Sequence, residues 1–257
     1  MKIKHLLCFI ALCLFFTPGK AQQLSVMTLR NGATVYIWED KSKPDVFGMI
    51  AFKVGSVDDP EQYTGLAHYL EHVMFKGTQT IDALDWEKEK PIYEKIIAKY
   101  DERAALSDPA AREAVDKEIN DLTREAAQYA AGNEFSLLVD HMGGQGLNAS
   151  TGYDQTEYHN SFPPSQLEKW LEIYSERLID PVFRGFQTEL EAVYEEYNMY
   201  NDDRGSRMRE FIYEQAFGDH PYARPIIGLP EHLKNPQLSK LIDFYNTWYG
   251  PQNMSII

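Results

Sequence analysis

The segment Leu66–Phe75 constrains the fold of this chain more than any other. It places His68, Glu71 and His72 in a stretch whose other members are almost all apolar. At helical spacing the two histidines lie one turn apart, with the glutamate between them on the same side. Because the remaining positions are apolar, such a helix is buried nearly all round, where water cannot satisfy three polar side chains. A bound metal ion would satisfy them, whereas the alternative is a histidine pair that simply packs in the core.

The residue types in this segment indicate which metal and which chemistry would fit. Two histidines at i and i+4 suit Zn²⁺, and a neighbouring carboxylate suits a general base that deprotonates an attacking water. The order H-x-x-E-H is the inverted zincin arrangement. Five residues alone match by chance often enough that the packing alternative stays open at this point.

Catalytic zinc usually has three protein ligands, so a third ligand has to come from elsewhere in the chain. The segment 189–196 offers four glutamates. Glu189 and Glu196 are seven residues apart and share the helix face that also carries apolar side chains, so either of them could reach a metal. Glu191 and Glu195 fall on the opposite face, which we expect to be solvated.

The first 21 residues have the pattern of a secretory signal peptide. Lys2 and Lys4 precede an apolar run, which ends at a Pro18-Gly19 break before Ala21. The run is too short to span a bilayer comfortably. We therefore expect an exported protein, periplasmic or secreted, whose mature part is residues 22–257. Both cysteines of the chain lie in this leader, so a mature metal site is limited to histidines and carboxylates.

The charge balance restricts the partners of the chain. Acidic residues outnumber basic ones by 39 to 25, which gives a net charge of −14. Such a surface repels nucleic-acid phosphate and anionic lipid, and no basic patch along the sequence offsets it. We expect no nucleic-acid partner, and no membrane association once the leader is removed.

Strand and helix patterns alternate along the rest of the chain and predict an α+β fold. Asn31-Gly32 between two β-rich runs is a strong hairpin motif, and a second hairpin is expected over Leu147–Ser150 and Thr156–Ser161. We predict a mixed, largely antiparallel sheet with helices packed on one face. A further strand is predicted over Val46–Val54. The predicted helices are Tyr63–Lys76, Pro164–Leu178, Gln187–Ala216 and Pro236–Trp248. The apolar end, residues 254–257, reads as a strand that has just begun, so we expect the C-terminus to be truncated.

A charged region interrupts this pattern. Between Trp86 and Glu125, 19 of 40 residues are charged, and the apolar positions recur at helical spacing. Ser107-Asp108-Pro109 separates the two helical stretches. The pattern predicts a solvated helical hairpin, residues 86–131, inserted into the domain.

Several blocks of the sequence together resemble one family. They are Gly55-Ser56 through Asp59-Pro60, Gly65 to Thr78 around the two histidines, Gly146–Thr151 with Thr156–Tyr158, Glu189–Glu196, and His220–Gly228. These blocks resemble the N-terminal half of the pitrilysin-type zinc metallopeptidases, which include insulin-degrading enzyme and the mitochondrial processing peptidase. The resemblance covers nearly the whole mature chain and disfavours the packing alternative for the histidine pair.

The resemblance implies a role for each site residue. It makes His68, His72 and Glu196 the ligands of one zinc ion per domain, and Glu71 the general base. Glu189 would orient a ligand histidine. The family's edge strand binds an extended peptide by β-addition. In this chain that strand would consist of Leu147, Asn148, Ala149 and Ser150.

The resemblance also implies a function and a missing component. We expect a zinc endopeptidase that hydrolyses peptides or unfolded segments. Family enzymes close a chamber with a second, homologous half that supplies arginine and tyrosine side chains. That half would be a C-terminal continuation, a separate subunit or a second copy of this chain. The alternative is a non-catalytic assembly or binding half-domain that needs a second half for activity.

Overall fold

The computed structural model describes residues 24–257, so the predicted leader and its two cysteines lie outside the described residues. Six strands form one sheet in the order β1-β2-β6-β3-β5-β4. Their bounds are β1 Leu24–Thr28, β2 Thr34–Trp38, β3 Val46–Phe52, β4 Gln145–Thr151, β5 Thr156–Phe162 and β6 Met254–Ile256.

The sheet is mixed, as the sequence predicts. Only β2 and β6 pair in parallel among these strands, and the other neighbours are antiparallel. In β5 every second residue is buried, which is the alternation expected when one face of a sheet packs on the core. Ile50 and Tyr158, paired across β3 and β5, belong to that buried face. The α+β prediction with helices against one face is confirmed.

The first hairpin turns at Asn31-Gly32, as predicted. Gly32 has a φ of +97°, a conformation that glycine adopts without steric cost. The Asn31 side chain accepts a hydrogen bond from the amide of Ala33 at 3.2 Å. This turn sets the register of β1 against β2.

The helices are numbered in chain order from the first one described. They are α1 Leu66–Val73, α2 Trp86–Ala105, α3 Pro109–Ala126, α4 Glu134–His141, α5 Leu167–Ile179, α6 Phe186–Asp202, α7 Arg204–Phe217, α8 Pro230–Leu233 and α9 Leu238–Trp248. We call α1 the two-histidine helix. None of the helices within residues 24–257 is both long enough and apolar enough to cross a bilayer.

The helices of the structure differ from the predicted ones at three places. The single helix predicted over Gln187–Ala216 is two helices, because the side chain of Asp203 accepts a hydrogen bond from Ser206 N and so starts a new helix there. The helices α4 and α8 were not predicted, because the apolar residues of α4 form a continuous run at Leu137–Val139 instead of a helical period, and α8 has only four residues.

The charged region forms two helices, α2 and α3, joined by a short turn at Asp108. Its charged side chains are largely exposed, but its apolar stripe joins the main core. The ring of Tyr100 meets that of Phe186 edge-on, with centroids 4.7 Å apart. The hairpin is therefore anchored to the domain by hydrophobic packing, and its origin as an insertion stays a prediction.

Candidate metal centre

The two-histidine helix lies between the sheet and α6. Its apolar residues are buried, Leu70 and Val73 completely. His68 and His72 emerge on one side, with ring centroids 4.8 Å apart. The helix thus fulfils the sequence expectation of a buried helix with one polar side.

Glu196 on α6 faces both histidines. Its Oε2 atom lies 3.6 Å from His68 Nε2 and 3.5 Å from His72 Nε2. One donor atom of each residue lies within 4.8 Å of the other two. Zinc binds imidazole nitrogen and carboxylate oxygen at about 2.0–2.2 Å, so the ligand atoms of a tetrahedral site stand roughly 3.4 Å apart. The donor types and the two nitrogen–oxygen spacings therefore fit zinc.

Glu189, the other inward glutamate, lies behind His72. Its Oε2 is 3.5 Å from His72 Nδ1, the ring nitrogen opposite the one that faces Glu196. The other oxygen of Glu189 pairs with the ammonium group of Lys76. A carboxylate on the far side of an imidazole fixes the ring orientation and raises its basicity. Glu189 therefore contacts the ring of His72 on the side away from Glu196.

Glu71 is 9% exposed and lies on the same side of the two-histidine helix. Thr151, at the end of β4, donates a hydrogen bond of 2.7 Å to Glu71 Oε2. Burial raises the pKa of Glu71 above its usual value, and the hydrogen bond from Thr151 opposes part of that shift. A raised carboxyl pKa is closer to neutral pH, where a general base works best.

The charges of the site favour a positive group between the carboxylates. Burial and the neighbouring His72 lower the pKa of His68 to about 4, so its ring is neutral at neutral pH. Burial alone would lower the pKa of His72, but Glu189 and Glu196 outweigh it and raise that pKa to about 9. The hydrogen bond with His72 is the main reason that the pKa of Glu196 falls to about 2. The same field would stabilise a divalent cation.

The predicted substrate strand β4 lies at one edge of the sheet, next to β5. Asn148 and Ser150 are exposed, Leu147 is half-buried and Ala149 is buried. The register between β4 and β5 shifts between Gln145 and Asn148. A cleft of about 330 Å³ starts at His68 and runs along Thr151 to residues of α7.

Sequence reasoning missed three side chains that contact the site: Thr151, Lys76 and Tyr200. The Tyr200 hydroxyl donates a 2.9 Å hydrogen bond to Glu196 Oε1. Lys76 and Tyr200 each follow a site residue by four positions, so helical spacing was the available indication. Thr151 comes from a distant strand, and nothing local to the two-histidine helix indicates it.

Comparison with known proteins identifies the family. The family model described as Insulinase (Peptidase family M16) matches residues 34–90 and 119–229, which together are more than half of the chain. The chain belongs to this family. The unmatched residues 91–118 lie within the charged hairpin.

Individual relatives agree with that assignment. The zinc protease PqqE of Helicobacter pylori is 25% identical over 235 residues, which are 90% of this chain and 42% of the relative. A crystal structure of a protease from Helicobacter pylori has a TM-score of 0.69 at 22% identity, over 91% of this chain and 45% of that one. The crystal structure of the periplasmic protease PqqL from Escherichia coli has a TM-score of 0.66 at 23% identity, over 92% of this chain and 22% of that one.

The structural matches show a common fold, and the name of the curated relative associates zinc with the family. The chain spans less than half the length of these relatives. The activity and the partners of a whole protein are therefore matters for proposal.

Proposed function

We propose that this chain is the metal-bearing half of an exported zinc endopeptidase, periplasmic or secreted, that hydrolyses peptides or unfolded segments. The convergence of His68, His72 and Glu196 beside the buried Glu71 carries this proposal. The inverted zincin order on a single helix supports it, as does membership of a family whose relatives include zinc proteases.

Each site residue has a role that follows from its position. His68, His72 and Glu196 would hold one zinc ion per domain, which would polarise the scissile carbonyl and acidify the attacking water. Glu71 takes the proton of that water and returns it to the leaving amine, while Thr151 holds one of its carboxylate oxygens. Glu189 keeps the ring of His72 oriented.

The edge strand β4 would bind the substrate. An extended peptide adds to an exposed sheet edge through main-chain hydrogen bonds, and β4 has β5 on one side only. Its residues Leu147–Ser150 lead directly to Thr151, which contacts the general base. A peptide on β4 would thus pass close to Glu71.

The proposal includes a second half that closes the site. The cleft at His68 is open, and the chain spans less than half of its relatives. A continuation of the chain, a separate subunit or a second copy would supply the missing wall and the groups that stabilise the oxyanion. A chain that never performs hydrolysis, and serves only as an assembly partner, is the competing function.

The test is zinc-dependent cleavage of a quenched peptide library by residues 22–257, compared with the Glu71→Gln variant. Glu195→Gln is the matched control, because Glu195 is exposed on the opposite face of α6. If a second copy of this chain closes the site, the wild type and the control cleave, and Glu71→Gln binds zinc without cleaving. Zinc binding with no cleavage by any of the three proteins would support a half-domain that needs its second half. Failure of the wild type to bind zinc would refute the proposal.

A further inference from the structure

The two-histidine helix has only eight residues. A helix of two turns is marginal by itself, so its position must come from its ends and its packing. Its first flanking residue is Gly65, which has no side chain to cap the free amide groups of the first turn. The ends of this helix therefore need partners from elsewhere in the chain.

Asp59 supplies the partner at the N-terminal end. Its carboxylate accepts hydrogen bonds from Gly65 N at 2.7 Å and Ala67 N at 2.9 Å. The side chain is almost fully buried, at 5% exposure, and it lies outside the helix in sequence. Arg224 acts on Asp59 electrostatically, but its hydrogen bonds go to the carbonyl groups of Ser56 and Val57. The carboxylate is thus committed to the backbone of the helix start.

Arg177 supplies the partner at the C-terminal end. Its Nε donates a 2.9 Å hydrogen bond to the carbonyl of Met74, the residue that ends the helix. The guanidinium is 1% exposed and stacks on Phe75, Tyr158 and Phe135, with ring centroids 4.2, 4.3 and 4.5 Å away. Both of its Nη atoms lack a hydrogen-bond partner among residues 24–257. A buried cation of this kind is costly, and the aromatic faces offset part of that cost.

The two charges match the helix dipole. A helix carries partial positive charge at its N-terminus and partial negative charge at its C-terminus. Asp59 is at the positive end and Arg177 is at the negative end. Burial opposes both charges, since it raises the pKa of Asp59 to about 7 and lowers the pKa of Arg177, and the hydrogen bonds from Ala67 N and Gly65 N offset part of that cost at Asp59.

We propose that Asp59 and Arg177 are positioning residues, which clamp the two ends of the two-histidine helix and so set where its histidines meet Glu196. Glu196 is on a different helix, so sliding of the two-histidine helix along its axis changes both nitrogen–oxygen distances at once. A metal site tolerates errors of only about 0.5 Å in its ligands. This inference rests on the proposed function, because the clamp serves a metal centre only if the helix binds a metal.

The test compares zinc affinity of the full chain, by competition with a chromophoric chelator, between wild type, Asp59→Asn and a matched control. The control is Asp82→Asn. Asp82 is another buried carboxylate, 1% exposed, that accepts a 2.6 Å hydrogen bond from Glu134 N at the start of α4, a helix without metal ligands. Thermal unfolding of each metal-free protein shows how much general stability each substitution removes.

We expect Asp59→Asn to bind zinc 10–100-fold more weakly, the loss that orienting partners of ligands typically cause. Asp82→Asn should bind as the wild type does, even if it unfolds at a lower temperature. Equal affinity of Asp59→Asn and wild type, or an equal loss in the control, would overturn the clamp. If the wild type itself binds no zinc, the proposed function fails instead, so the two failures are distinguishable.

The visible spectrum of bound cobalt(II) gives a second measurement, which a loss of stability alone would not change. This spectrum reports ligand geometry, so Asp59→Asn should change the spectrum of the cobalt-loaded protein and Asp82→Asn should not. Arg177→Met replaces the guanidinium with an unbranched apolar side chain and removes the hydrogen bond to Met74. It should weaken zinc binding in the same way. If Asp59→Asn does not fold, Asp59→Glu replaces it, since the longer side chain keeps the charge and displaces the anchored backbone. An unchanged affinity and spectrum in Asp59→Glu and Arg177→Met would refute the proposal.

Discussion

Removing the hydroxyl of Tyr200 should weaken zinc binding without disturbing the fold. In the structure this hydroxyl holds Glu196 Oε1 at 2.9 Å, while Glu196 Oε2 faces both histidines. The hydrogen bond therefore determines which carboxylate oxygen is available to the metal. In Tyr200→Phe the carboxylate of Glu196 can rotate. Zinc binding then has to fix its orientation again, which costs binding free energy.

The magnitude follows from the environment of the bond. A hydrogen bond to a charged group contributes about 1.5–3 kcal/mol when it is shielded from water. Tyr200 is 41% exposed, so water replaces part of the lost bond and the lower end of that range applies. A loss of about 1.4 kcal/mol corresponds to tenfold weaker zinc binding.

The assay is chelator competition at neutral pH, with Tyr197→Phe as the control. Tyr197 is on the same helix next to Glu196, but its ring stacks on Tyr194 instead of contacting the carboxylate through its hydroxyl. We expect the control to bind zinc as the wild type does, and both variants to unfold close to the wild-type temperature. Undiminished affinity in Tyr200→Phe would show that the hydroxyl does not orient the ligand.

Three further predictions concern protonation, backbone conformation and packing. At pH 7 zinc binding should release about one proton per ion, because His72 has a pKa of about 9 and must lose its proton to bind the metal. The zinc affinity should therefore rise with pH up to about 9. Calorimetry in buffers of different ionisation enthalpy measures the released protons, and a result of zero would contradict the prediction. Gly65→Ala should destabilise the protein by several kcal/mol, because φ is +89° and a Cβ would approach a carbonyl oxygen to 2.5 Å; Gly185→Ala, at φ +62° with open space, should cost far less in thermal denaturation. Ile119→Ala should cost about 2–5 kcal/mol in urea unfolding, since Ile119 is 2% exposed in the core, and a negligible loss would mean that the hairpin does not share the core.

Local patterns predicted the parts of the fold that local interactions determine. Asn31-Gly32 specifies its own turn, and the helical period places Glu189 and Glu196 on one face whatever surrounds them. The position of both glutamates next to the histidine pair agrees with that expectation. The packing of α6 decides whether Glu189 or Glu196 lies opposite both histidines. The residues alone left that choice open.

Long-range partners were out of reach of the sequence pattern. Asp59 reads as part of a turn before Pro60, and Arg177 reads as an ordinary charged residue of an amphipathic helix. Their functions as helix-end partners appear only when the tertiary structure brings them to the two-histidine helix. The same holds for Thr151, whose hydroxyl reaches Glu71 from a strand 80 residues away in sequence.

The position of β6 has a consequence for how the chain acquires its structure. β6 lies between β2 and β3, so that Val35 pairs with Ile256, more than 200 residues later. A ribosome releases the N-terminal strands long before their central neighbour is synthesised, and such non-local pairing slows folding. The nascent sheet therefore stays incomplete until that late strand arrives, because β2 and β3 lack the neighbour that lies between them.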